Sequence, residues 1–268
     1  MAICSVILST FNQPNALRLC LTGYKNQSYK DFELIIADDG SDEETKAVIE
    51  EFKPRFASPI KHVWQENHGY RRAKIVNEGF KISEGKVVIL TDGDTIPNKN
   101  FVKIHAENCR ENAFCVGGFI MLSADYCRAL TMELVEKEDY EKFLTAGKRF
   151  RFAVKHWKNL FYIARGKMDR PKVFGCNISV WRSSFEAVNG YDENFDGFGK
   201  EDSDLRNRLR KAGVRPVSLW GKTYVFHVDS IIDPKIMQSR IPRDKNKARE
   251  YYYRPDVPAR CVNGIKKS

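Results

Sequence analysis

The sequence predicts an α/β protein: a mostly parallel sheet with helices on both faces, and a smaller subdomain in its second half. Short, continuous apolar runs rich in β-branched residues recur along the first 90 residues, and stretches of helical period separate them. A cluster of small, polar or acidic residues follows each run, where a parallel sheet exposes its carboxyl edge.

Ile3 to Leu8 is the first run and Phe32 to Ala37 the second, with a helical stretch from about Pro14 to Tyr24 between them, which makes a β-α-β unit. Glu43 to Phe52 reads as the next helix, with Ser41 as its cap and Glu44 three residues on. Ile60 to Trp64 is a third strand, Arg72 to Ile82 a helix, and Lys86 to Leu90 a fourth strand. The alternation stops near residue 120. Leu130 to Leu144 reads as one helix. From Phe150 onward Val154, Trp157, Phe161 and Ala164 share a helical face while Arg151, Lys155, Lys158 and Arg165 lie on another, which suits either a packed helix or one lying on anionic lipid. The segment from Asp233, rich in Pro, Lys and Arg, reads as irregular chain wrapping the body.

At 268 residues the chain can bury a large core, and 42% hydrophobic with 12% aromatic residues excludes a disordered protein. No apolar run is long enough to span a bilayer, and Met1 to Leu8 lacks the charged start and cleavage site of a signal peptide. The seven cysteines contain no C-x-x-C pair, so reduced thiols and a cytoplasmic protein, soluble or peripheral at the inner face of the cell membrane, are expected. A formal net charge of +10 calls for either a polyanionic partner (phosphorylated small molecules, anionic lipid or nucleic acid) or a basic, uncommitted surface that tolerates it.

The chemistry lies in the post-strand clusters. Asp92-Gly93-Asp94 places two carboxylates on a tight turn whose glycine admits a ligand to the backbone, an arrangement suited to Mg²⁺ or Mn²⁺ with positions left for diphosphate oxygens. Asp38 and Asp39 offer acceptors to a base or ribose, or serve as turn and cap residues. Gly197 to Arg206 is a glycine-rich turn entering a helix, with Glu201, Asp202 and Asp204 at its start; these either only complement the helix dipole or include a carboxylate fixed as a general base for an acceptor hydroxyl. His227 is either a satisfied structural group or a metal ligand brought to Asp94 from the second half.

These residues together resemble the family 2 glycosyltransferases of GT-A fold. Ser5 to Asn12, Glu33 to Asp42 and Thr91 to Asp94 carry the likeness in the first half. In the second half Gly175 to Arg182, Asn189 to Glu193 and Phe198 to Leu205 are similar to a module shared by β-1,4-galactosyltransferases and chondroitin-polymerase-like enzymes. The resemblance implies a nucleotide-sugar-binding half over 1–120, an acceptor-binding and catalytic half over 121–232, and a basic tail over 233–268. It implies that Thr10 and Asp39 contact uridine, that Arg71 lies near the base or diphosphate, and that Asp92 nears the ribose while Asp94 binds the divalent cation. It makes Asp202 the base, Glu201 an acceptor ligand and His227 the completing metal ligand. The implied reaction is inverting transfer from a UDP-sugar (UDP-Gal, UDP-GalNAc, UDP-Glc or UDP-GlcNAc) to a glycan or glycolipid hydroxyl, in bacterial surface polysaccharide or lipopolysaccharide synthesis. Gly197-Phe198-Gly199-Lys200 departs from the tryptophan and glycines of the galactosyltransferase pattern, and residues 121–172 match none of its motifs.

Two other readings compete. A nucleotidyltransferase would want a glycine-rich phosphate loop after the first strand, where Ser9-Thr10-Phe11-Asn12-Gln13 stands. A nucleic-acid-binding protein would face acidic motifs at every strand end.

Overall fold

Residues 4–195, 197–228 and 245–267 are described by the structure, a computed structural model. The β-branched runs form β1 (Cys4–Thr10), β2 (Phe32–Asp38), β3 (Ile60–Trp64) and β4 (Val87–Asp92). All four are parallel, with β1 central between β2 and β4 and β3 outside β2. Helices α1 (Pro14–Lys25), α2 (Glu43–Phe52) and α3 (Arg72–Lys81) make the crossovers.

Period-two alternation along the strands feeds two separate cores. Val6, Leu8, Leu34, Ile36 and Ile89 pack with Leu17, Tyr24, Ile49 and Phe52 of α1 and α2 on one face. Ile7, Ile35, Val88 and Leu90 pack with Ile75, Val76 and Phe80 of α3 on the other. Both faces are covered, as the sequence predicts.

The sheet does not end with β4. After β5 (Thr95–Pro97), α4 (Phe101–Asn108), β6 (Ala113–Val116) and β7 (Gly118–Met121), the chain returns through β8 (Ile178–Trp181), which inserts antiparallel between β4 and β6. Helices α8 (Arg182–Ala187) and α9 (Glu201–Lys211) follow, and β9 (Arg215–Ser218) pairs parallel to β6 to complete seven strands in the order β3-β2-β1-β4-β8-β6-β9. The main sheet therefore draws strands from both sides of residue 120. A second sheet of three strands, β5, β10 (Tyr224–His227) and β7, stands beside its carboxyl edge and puts His227 opposite Thr95. Ile96, Ile120, Tyr140, Phe152, Trp220 and Phe226 form a third core beneath it.

Four local expectations are corrected. Asp42, not Ser41, caps α2: its carboxylate accepts from Thr45 N at 3.3 Å, while the Ser41 hydroxyl is taken by Asn12 N at 2.9 Å. The helix expected over 130–144 is instead α6 (Met132–Glu136) and a 3₁₀ turn at Asp139–Phe143, preceded by α5 (Ala124–Ala129). Glu138 takes a left-handed φ of 59° between the pieces, and Tyr140 beyond it donates to Pro97 O at 3.1 Å and lies against Phe226. That buried anchor redirects the chain. The helix read from Phe150 begins a turn earlier, as α7 (Ala146–Ala164), capped by Thr145. In the tail, residues 233–244 lie outside the described residues, and 245–252 form a helix, α10 (Lys245–Tyr252), rather than irregular chain. Beyond it Arg254 bonds Asp192 at 3.0 Å and Asp204 at 3.4 Å, tying the tail to the base of α9.

All seven cysteines are buried and none is in a disulfide. Among the described residues no helix is long and apolar enough to cross a membrane.

Candidate active site

The carboxyl ends of β1, β2 and β4, the start of α9 and the end of β10 converge on one cavity of about 470 Å³, lined among others by Thr10, Asp39, Asp92, Asp94, Glu201, Asp202 and His227. Seven of the eight sequence-predicted site residues meet there. The exception is Arg71, whose guanidinium turns to the Glu66 carbonyl and whose backbone N–H serves Asp39; the next residue, Arg72, enters the cavity instead.

At the β1 end, Gly93 N–H donates to Ser9 O at 2.7 Å and folds the turn after β4 over Thr10. A Cβ on Gly93 would stand 3.0 Å from the Thr10 hydroxyl, so a larger residue would make the Thr10 side chain give by a few tenths of an ångström. Thr10 Oγ1 is buried with no hydrogen-bond partner, a polar atom facing the cavity that needs a ligand or water. Asp38 turns away: its oxygens accept from Ser41 N at 2.8 Å and meet His62 at 3.3 Å, which is a turn-holding role. Asp39 accepts from Gln65 Nε2 at 2.5 Å and Arg71 N at 2.8 Å, and burial pushes its carboxyl up to about 6.

Arg72 is the hub. It is 5% exposed, and its guanidinium reaches Asp92 Oδ1 at 3.0 Å, Asp202 Oδ1 at 3.2 Å, the Tyr191 hydroxyl at 3.3 Å and Gly175 O at 3.1 Å. One side chain thus joins the strand-end motif of the first half to the helix start of the second. Gly175 packs flat against this pair, where a Cβ would come within 2.7 Å of Asp202 Oδ2 and 2.8 Å of the guanidinium. Tyr191 donates to Asp202 Oδ1 at 2.6 Å, so Asp202 is oriented from two directions.

Glu201 is 4% exposed and accepts from the Tyr70 hydroxyl at 3.2 Å, while its Oε2 is buried with no hydrogen-bond partner. Burial, then the neighbouring Asp202 charge, pushes its carboxyl up to about 7. The native state therefore holds protons on Glu201 and Asp39 that the unfolded chain releases at lower pH, so stability falls as pH rises from the ordinary carboxylate range toward 7. In Glu201→Gln part of this dependence disappears. The melting temperature of that variant should gain on the wild type steadily between pH 5 and 8; a constant gap across that range would refute the assignment.

In the same cavity Asp94 Oδ1 and His227 Nε2 lie 3.7 Å apart, and Val228 N–H fixes the turn by donating to Asp94 O at 2.9 Å. His227 Nδ1 is buried with no hydrogen-bond partner. A carboxylate beside an imidazole suits Mn²⁺ better than Mg²⁺, which prefers oxygen ligands throughout. No third His, Cys, Asp or Glu joins them among the described residues.

The chain matches the model for Glycosyl transferase family 2 over residues 5–176. It belongs to that family. A second model, described as the N-terminal domain of galactosyltransferase, matches residues 155–231 of this family 2 protein and covers β8, α9 and His227. Relatives include the validoxylamine A glucosyltransferase of Streptomyces hygroscopicus subsp. jinggangensis, 26% identical over 85% of this chain and 58% of its own. The chondroitin synthase of Escherichia coli is 24% identical over 78% of this chain and 32% of its own, so the protein spans only part of the length of these relatives. Similar solved structures are the mannosyltransferase PcManGT from Pyrobaculum calidifontis, with GDP-Man and Mn²⁺ (TM-score 0.60, 15% identity, 96% of this chain and 66% of that one), and S. aureus TarS 1-349 with UDP-GlcNAc (TM-score 0.58, 16% identity, 92% and 69%). The family 2 protein thus has the GT-A fold that its sequence resembles.

Sequence reasoning missed Arg72, Tyr191 and the apolar wall of Phe119 and Phe174. The spacing Arg72, Val76, Gly79 along one face of α3 is the signal that turns Arg72 inward. Phe119, inside β7, and Phe174, in the loop before β8, carried no signal, because lone apolar residues beside strands read as core.

Proposed function

We propose that the protein transfers a sugar from a UDP-sugar to a glycan or glycolipid hydroxyl with inversion at the anomeric carbon, using a divalent cation. The observation that carries this reading is that one cavity is lined by both the Asp94–His227 pair and the Arg72-held Asp202. The two groups come from different parts of the chain, which suits a base and a leaving-group site that must flank the anomeric carbon in an in-line displacement.

Thr10 and Asp39 receive the nucleoside, and Asp92, held by Ser9 at 2.9 Å and by Arg72, lies near the ribose. Asp94 and His227 would hold the cation, which supplies positive charge to the departing diphosphate. Asp202 takes the proton from the acceptor hydroxyl as its oxygen bonds the anomeric carbon and the bond to the diphosphate breaks. Glu201, beside it at the mouth of α9, binds acceptor hydroxyls. Arg72 and Tyr191 fix the Asp202 carboxylate so that no reorientation is needed when the acceptor arrives. Uridine as the base and surface polysaccharide as the product are supported by the TarS structure with UDP-GlcNAc and by the chondroitin synthases among the relatives.

Binding of UDP-, GDP- and CMP-sugars, with Mn²⁺, with Mg²⁺ and with chelator, tests this directly. One UDP-sugar should bind in a metal-dependent manner, and Asp94→Ala should weaken it by at least ~100-fold. Tight binding of GDP-mannose instead would move the nucleoside reading, and metal-independent binding would remove Asp94 and His227 from a cation site.

A further inference from the structure

Helix α7 is oriented backwards for a helix that only covers a core. Its inward side carries Phe152, buried on the Trp220 ring at 5.3 Å, with His156 and Asn159 hydrogen bonded to Ser218 Oγ at 3.2 and 3.3 Å. The opposite side carries Phe150, Val154, Trp157 and Phe161, spaced so that they stack into one stripe along the helix. These four are 71%, 36%, 70% and 54% exposed. Arg151 and Lys158 flank the stripe, and the Arg165 guanidinium lies 4.7 Å over the Phe161 ring at its end. Residues 145–172 hold nine Lys and Arg against the single acidic Asp169, so this segment alone carries eight of the chain's ten net positive charges.

We propose that this face docks on an anionic lipid bilayer, with α7 in the headgroup plane, Phe150, Trp157 and Phe161 below it, and Arg151, Lys158 and Arg165 on lipid phosphates. Aromatic side chains with a basic rim are the chemistry that a membrane interface selects. Single-stranded nucleic acid would stack bases on separate rings and has no use for Val154, which joins Phe150, Trp157 and Phe161 into one continuous apolar stripe. A second copy packed on the same face would bring two strongly positive surfaces together. The docked face lies directly behind the cavity: Trp220, under Phe152, contacts Phe174 at 6.1 Å, and Phe174 packs on Phe119 at 4.8 Å, both lining the cavity wall. The inference stands whether or not the protein transfers sugar, because it concerns a surface outside the catalytic groups.

The full chain should co-sediment with phosphatidylglycerol–phosphatidylcholine vesicles at low salt and not with phosphatidylcholine alone, and phosphatidylglycerol vesicles should shift Trp157 emission to the blue. The double variant Trp157→Glu, Phe161→Glu should lose about tenfold or more of the partitioning, with unchanged melting temperature and donor binding, while Lys46→Glu on α2 should lose none. Undiminished binding by the double variant would reduce the effect to charge adsorption and overturn insertion. Absence of binding, a dimer that the double variant abolishes, or vesicle binding displaced by single-stranded RNA would overturn the proposal.

Discussion

Asp202→Asn lowers sugar-transfer turnover by about 10²- to 10⁴-fold, the range for loss of a positioned general base, and leaves donor affinity near the wild-type value. The amide keeps the shape and can still accept the Tyr191 hydrogen bond at Oδ1, and Arg72 keeps Asp92, so the site stays assembled. What is lost is the ability to take a proton. Steady-state kinetics should show the whole loss in kcat, with KM for donor little changed. Glu201→Gln should instead raise KM for the acceptor. If Glu201→Gln abolished turnover while Asp202→Asn kept it, the two roles would be exchanged, an outcome that the carboxyl pushed up to about 7 at Glu201 makes worth testing in parallel.

Arg72→Met has the second large effect. The guanidinium is buried and neutralises two carboxylates at once, so its removal leaves Asp92 and Asp202 facing each other through an apolar side chain. Breaking a buried ion pair from one side costs about 3–5 kcal/mol, and the partial exposure of the two acids places this case at the low end, about 3 kcal/mol. Urea denaturation should show the midpoint falling with an unchanged slope. Arg72→Lys should recover part of the stability but little of the turnover, since one ammonium cannot hold Asp92, Asp202 and the Gly175 carbonyl in the same geometry. A fully active Arg72→Lys variant would show that the residue supplies charge alone.

Most of the first half was legible in the sequence because its signals are local. The apolar runs, the periodic helices and the acidic turns after β2 and β4 each announce themselves within ten residues, and they fall where expected. The site residues from those turns meet in the cavity for the same reason. Legibility fails where position depends on distant partners. Nothing near Glu138 marks the break that Tyr140 causes by reaching Pro97. Ser41 satisfies the capping pattern locally, yet Asn12, from the other side of β1, claims its hydroxyl. Arg71 and Arg72 are chemically identical neighbours at a loop-helix junction, and only the phase of α3 tells which one enters the site. The amphipathic character of α7 was readable as well. Which of its sides would face the body was not, because Phe152 on the inside and Phe150 on the outside are the same residue two positions apart.

The placement of β8 has a consequence for how the protein is made. On a ribosome the chain emerges in order, and β4 is complete once Asp92 has left the tunnel, but its partner on one side is Ile178–Trp181. At ordinary elongation rates the gap between the two lasts on the order of ten seconds. Throughout that interval Val87, Val88, Ile89 and Leu90, all fully buried in the finished sheet, border an open strand edge, which is a template for any stray strand nearby. A nascent chain stalled inside that window keeps this edge open, and fast synthesis across residues 93–177 shortens the exposure.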